Sequence, residues 1–224
     1  MFYAVAKGYN IGIYTTWENC KNQINGFKGA IYKKFDNEKD AENYILNLVH
    51  TCESIYERKY KKFSETDCDY YVYTDGSCIN NGKINPIAGI GIYFNENDNR
   101  NVSSLITHED KLTNNIAELM ALIKCYEIVK HELDIGKKIC IFTDSQYSIK
   151  CATFYGEKNE QLDWKKDIPN KNLVKELYNI YKNNNNLLIE HVKAHTNRND
   201  HHSIGNKNAD KLAYNAIQNV INSH

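Results

Sequence analysis

No stretch of this sequence is apolar for long enough to cross a bilayer. The longest such run, residues 87–94, is interrupted by glycines and falls short of the roughly 20 residues that a helical span needs. The pattern C-x-x-C is missing and the cysteines number seven, so neither a zinc ribbon nor a fully paired disulfide framework is indicated. Reduced thiols in an intracellular compartment, cytoplasmic or nuclear, are expected instead. Met1-Phe2-Tyr3-Ala4-Val5 has no charged stretch followed by a long apolar one, so a secretion signal is not expected, and no mitochondrial presequence is expected because the first domain is read as starting at Met1. Lys59-Tyr60-Lys61-Lys62 is too short a basic run to assign nuclear entry. A net charge is missing too, but the balance is uneven along the chain. Of the 28 basic and 28 acidic residues, 10 and 7 fall within residues 1–62, leaving 18 and 21 for the remainder. A basic binding module joined to an acidic catalytic one fits that asymmetry, because the acidic part would repel polyanions unless metal ions offset its carboxylates.

What is present is an ordinary globular composition, 42% hydrophobic and 25% charged. Two short β-prone runs, 2–6 and 11–15, flank Lys7-Gly8-Tyr9-Asn10, a hairpin signal. A helix over 17–25, a strand over 30–35 and a helix carrying Ala41, Tyr44, Ile45 and Leu48 complete a small ββαβα unit. This gives a domain over residues 1–50, a linker over 51–68 that is most polar from residue 58 on, and a second domain over 69–224. In the second, strands at 70–74, 87–94 and 102–107 form an antiparallel meander. A helix over 115–131, a strand over 138–143, a helix opening near Ser145, a helix over 172–182, a strand over 187–192 and a helix over 206–220 follow. This order predicts an α/β fold, a mixed five-stranded sheet with helices on both faces.

Four acids fall where such a sheet gathers them. Asp75 ends the first strand of the domain and Asp144 follows the 138–143 strand, so if these strands are parallel neighbours both carboxylates leave the same sheet edge. Glu118 and Asp210 stand in the first turns of two helices. Clustered carboxylates without His or Cys suit Mg²⁺, and two such ions about 4 Å apart can activate a water and stabilise a leaving oxygen of a phosphodiester. Each acid also has a local reading. Asp75-Gly76 resembles a hairpin turn, Glu118 has capping-box spacing from Asn115, Asp144 can cap a helix, and Asp210 can complement a helix dipole. His195, in the loop after the last strand, has the pKa range of a proton shuttle, although a solvated loop histidine has the same sequence signature.

Residues 71–78 (YVYTDGSC), 113–119 (TNNIAEL), 142–147 (FTDSQY), 193–195 (KAH) and 206–213 (NKNADKLA) resemble, in order, the motifs of type 1 ribonucleases H. Residues 1–5, 16–20 and 32–35 resemble the hybrid-binding domain of the eukaryotic enzymes. The resemblance implies an endoribonuclease that cuts the RNA strand of RNA/DNA hybrids with two Mg²⁺ ions, Mn²⁺ being able to substitute, and leaves 5′-phosphate and 3′-hydroxyl ends. It implies a ribonuclease H-like three-layer fold, with Asp75, Glu118, Asp144 and Asp210 as metal ligands and His195 as a catalytic group. It also implies that Asn81, Asn114 and Asn115 read ribose 2′-hydroxyls, that Thr113 and Asn170 hold a DNA phosphate, and that Tyr147 and Tyr155 line the DNA-strand channel. Tyr3, Trp17, Lys33 and Lys34 would contact the hybrid, and the expected state is a monomer with no membrane partner. Three departures stand out: an insertion over 197–203 between His195 and Asp210, the segment 156–160 where many relatives carry a basic handle, and Ala6 and Tyr9 in place of arginines. The insertion leaves open whether His201 or His202 takes over from His195. The competing classes are a catalytically inactive hybrid- or double-stranded-RNA-binding protein, and a DNA transposase or resolvase of the same fold.

Overall fold

Isoleucine and tyrosine are the commonest residues in the segments that become strands. The computed structural model describes residues 1–10, 12–41, 44, 59–107, 111–194 and 199–222, divided between two units, Met1–Lys61 and Lys62–His224. Among the described residues no helix is long and apolar enough to cross a membrane.

In the first unit β1 (Phe2–Lys7) is the central strand, pairing antiparallel with β2 (Gly12–Tyr14) and with β3 (Ile31–Phe35). Helix α1 (Trp17–Ile24) starts where the Thr16 hydroxyl accepts from the Asn19 amide, and its Cys20 is buried, as are Ala4 and Val5 of β1. Residues 38–41 and 44 are helical, and the rest of the expected second helix lies outside the described residues.

The second unit holds β4 (Tyr70–Ile79), β5 (Ile87–Tyr93), β6 (Val102–Leu105), α2 (Asn114–Asp134) and β7 (Ile139–Thr143). There follow α3 (Gln146–Ala152), α4 (Phe154–Gln161), α5 (Lys171–Asn183), β8 (Leu187–His191) and α6 (His201–Ile221). The sheet order is β6-β5-β4-β7-β8, with β4, β5 and β6 antiparallel and β4, β7 and β8 parallel. Every residue of β7 is buried, as expected for a parallel strand covered on both faces. Ala117 and Ala121 of α2 pack with Ala88 and Ile90 on one face, while Ala209 of α6 packs with Tyr73, Phe142 and Leu188 on the other. Fully buried Ile139, Ile141, Leu188 and Ile189 each contribute about 1.5–3 kcal/mol of transfer free energy, an upper bound. This is the three-layer α/β architecture that the element order predicts.

The helix expected near Ser145 is two, α3 and α4, and of the boundaries that differ from expectation two bear on the site. Strand β4 does not end at Asp75 but continues to Ile79, because its second half still pairs with β5 after β7 has stopped at Thr143. Helix α6 begins at His201 rather than at residue 206. Asp200 caps it, accepting from the backbone N–H and the hydroxyl of Ser203 at 3.0 and 2.9 Å, so the last three residues of the apparent insertion are helix.

Candidate active site

The parallel register of β4 and β7 ends at the pair Thr74 and Thr143, so the next residue on each strand is an aspartate, Asp75 and Asp144. Glycine brings in the other two acids. A Cβ on Gly76 would lie 2.3 Å from the Ala117 carbonyl carbon and the Glu118 amide nitrogen, so only glycine lets α2 sit this close and deliver Glu118. On β5, Gly91 is the cross-strand partner of Asp75, and a Cβ there would lie 2.0 Å from the Ala209 carbonyl oxygen. That contact sets α6, and with it Asp210, against the same strand.

Asp75, Glu118 and Asp144 each offer one carboxylate oxygen within 4.8 Å of the others. Asp210 stands outside this trio, yet its charge helps to raise the pKa of Asp75 and of Glu118. Asp75 is only 7% exposed. Burial first, then repulsion from Asp144 and Asp210, pushes its carboxyl up to about 7, against a backbone hydrogen bond involving Gly76. Burial and the charge of Asp75 push Glu118 up to about 9. Among the described residues no lysine or arginine pairs with any of the four, and Glu118 Oε2 is buried without a hydrogen-bond partner. All-oxygen donors crowded this closely, with no basic side chain beside them among the described residues, fit a hard divalent cation, which would relieve repulsion and desolvation together.

The local readings of the acids give way to other residues. Thr113, not Asn115, caps α2, its hydroxyl accepting from the Ile116 amide at 3.2 Å, which puts Glu118 beyond the capping box. Ser145, not Asp144, caps α3 through the Ser148 amide. Asp210 lies well inside α6 rather than in its first turn, too deep to complement the dipole. The hairpin after β4 turns at residues 80–85, with Asn80, Gly82 and Asn85 at positive φ, not at Asp75-Gly76.

The structure brings together two pairs of the remaining candidates. Asn81 Oδ1 accepts from the Asn114 amide at 3.4 Å, and Asn170 Nδ2 donates to the Tyr147 hydroxyl at 3.1 Å. Asn115 is exposed on the first turn of α2 and Tyr155 half-buried on α4. His195 lies outside the described residues. Of the two alternatives to it, His202 is engaged elsewhere: Nδ1 meets the Tyr73 hydroxyl at 3.1 Å and Nε2 meets Glu65 at 2.9 Å. The His201 ring lies 5.9 Å from those of Tyr71 and Tyr73.

In the first unit Tyr3 is opposite Lys34, and the exposed Trp17 ring sits 5.6 Å from Tyr3 and 5.8 Å from Tyr32. Lys33 takes the other face, its ammonium 5.4 Å from the Phe35 ring and 5.7 Å from Tyr44. The lysine pair is therefore split between faces, and Tyr32, which stands in the 32–35 motif but was not among the expected contacts, joins the aromatic face.

The family model for RNase H matches residues 67–218, and that for the ribonuclease H1 N-terminal domain matches residues 1–45. The chain belongs to the ribonuclease H family. It is 30% identical to a ribonuclease H of Schizosaccharomyces pombe, with 95% of each chain covered. It is 27% identical to ribonuclease H1 of Homo sapiens over 95% of this chain and 88% of that one. Its fold is similar to the solution structure of the PFV RNase H domain, with a TM-score of 0.51, 24% identity, and coverage of 66% of this chain and 93% of that domain. As a ribonuclease H, the enzyme hydrolyses the RNA strand of RNA/DNA hybrids, and its acidic cluster is suited to a divalent metal.

Proposed function

We propose that this ribonuclease H works with two Mg²⁺ ions held by Asp75, Glu118, Asp144 and Asp210, with Mn²⁺ able to substitute, and releases 5′-phosphate and 3′-hydroxyl ends. The observation that carries this is the trio of carboxylate oxygens within 4.8 Å, one of whose members, Glu118, keeps a buried oxygen without a partner. When bound, divalent ions supply an acidified water and charge neutralisation at the scissile phosphate. The chain's own residues do the rest. His195 moves a proton near that water. Asn81 and Asn114, already hydrogen-bonded, act with Asn115 to read successive 2′-hydroxyls, since an amide offers both a donor and an acceptor. Thr113 and Asn170 hold a DNA phosphate, with Tyr147 and Tyr155 along the DNA strand. The hybrid-binding domain, residues 1–50, adds Tyr3, Trp17, Lys33 and Lys34, and residues 51–68 link it to the catalytic domain, 69–224. The protein acts as a monomer inside the cell, where the free thiols of its described cysteines stay reduced.

A cleavage assay with and without Mg²⁺ on hybrid, double-stranded RNA, double-stranded DNA, and DNA duplexes with one to four embedded ribonucleotides tests the reading. Hybrid is cut only with metal, and a single ribonucleotide is cut about a hundredfold more slowly than four, since each lost hydrogen bond removes on the order of 1 kcal/mol. Efficient incision at a single ribonucleotide, or metal-independent cleavage, overturns it.

A further inference from the structure

Asn206 is 4% exposed and lies on α6 one turn before Asp210, so both side chains share a helix face. Its Nδ2 donates to Asp144 Oδ2 at 3.3 Å. Among the described residues it is the one side chain that gives a hydrogen bond to any of the four acids. With the amide nitrogen facing Asp144, the amide oxygen points away from it. That oxygen, Oδ1, is buried with no hydrogen-bond partner. An unsatisfied buried carbonyl is unfavourable, and an apolar side chain of similar size would avoid it. Packing alone therefore does not account for an amide at this position. Its depth is fixed on both sides: a Cβ on neighbouring Gly205 would lie 2.3 Å from the Tyr73 ring, and Ala209 is pressed onto Gly91.

We propose that Asn206 is a positioning residue for the metal site, holding one oxygen of Asp144 so that the carboxylate keeps the orientation in which it meets Asp75 and Glu118. The inference rests on the metal reading above. Donors behind a ligating carboxylate commonly change metal affinity by about 10- to 100-fold when removed.

The test is calorimetric titration of Mn²⁺ alone into the full chain, wild type against Asn206→Leu, with the metal-free Tm recorded for both. Asn206→Leu weakens Mn²⁺ binding by about 10- to 100-fold while leaving the metal-free Tm unchanged or raised, because the unsatisfied oxygen is gone. Asn206→Ala, which adds no atom and so cannot clash, shows the same loss of affinity if the leucine variant fails to fold. Wild-type affinity in either folded variant overturns the proposal, as does a loss of affinity that only tracks a fall in the metal-free Tm. Asp75→Asn separates this from the parent reading. If wild type binds no Mn²⁺, or binds as Asp75→Asn does, the metal site itself is wrong; if wild type binds and only the Asn206 variants match it, the positioning role alone is lost.

Discussion

Burial and mutual repulsion hold protons on Asp75 and Glu118 up to about 7 and about 9, far above the value of about 4 that carboxylates have in an unfolded chain. The folded state thus keeps protons that the unfolded chain has already lost. The stability this lends is complete below the unfolded value and disappears as pH rises through 7 and 9. Metal-free protein therefore melts at a lower temperature at pH 9 than at pH 6, and Glu118→Gln removes most of the difference; a scan of Tm against pH in EDTA checks it, and a flat wild-type profile counts against the cluster. Asp144 was legible at this scale because an acid just past a strand end is a position the sequence reveals; Asp75 was found by the same reasoning, although β4 in fact runs on past it. Asn206 was not, since nothing in a helical pattern distinguishes a buried amide from a solvated one. Glu118 was legible only as one of two readings until Thr113 took the cap.

Apart from α4, order and type of the elements from β4 to α6 follow from hydrophobic periodicity and turn residues, while the two boundaries at the site depend on tertiary partners. Strand β4 runs past Asp75 because β5 keeps pairing with it, a matter of register that no local signal states. Gly76 read locally as half of a turn, whereas its use is the close approach of α2. Gly76→Ala must drive a Cβ into the Ala117 and Glu118 backbone, so it lifts α2 from the sheet. Cleavage falls at least as far as in Glu118→Ala, and thermal unfolding shows a loss of about 1–3 kcal/mol, as for other overpacked sites. The early start of α6 similarly bears on His202. With both ring nitrogens of His202 occupied by Tyr73 and Glu65, His202→Ala lowers Tm but leaves kcat near wild type. His195→Ala, by contrast, slows kcat by about 10² to 10⁴. Steady-state kinetics on the two variants would falsify the assignment if their effects were reversed.

Across the whole molecule, the opposite charge balances in the two parts of the sequence fit the proposed division of grip from chemistry. The first unit's aromatic face, Tyr3, Trp17 and Tyr32 beside Lys34, offers ring planes and a cation to a polyanion that the acid-rich remainder repels. Trp17→Ala and Lys34→Ala weaken hybrid binding in the full chain with little effect on kcat for short hybrids. Lys34→Ala also flattens the dependence of log K on log salt by about one unit, readable by fluorescence anisotropy, while Lys33→Ala, on the other face, does so less. The charge asymmetry was visible in the sequence, but the split of the lysine pair required the pairing of β1 with β3. That the four acids are borne on β4, α2, the end of β7 and α6 has a consequence in time. No hairpin or single helix contains the site, so it exists only after the long-range parallel pairing of β4 with β7 and the docking of two helices, the slowest contacts to form. A cation that binds the finished cluster acts on the native state alone. Stopped-flow traces will show Mg²⁺ slowing unfolding in proportion to its binding while leaving the refolding rate unchanged, so that the metal guards the fold without guiding it.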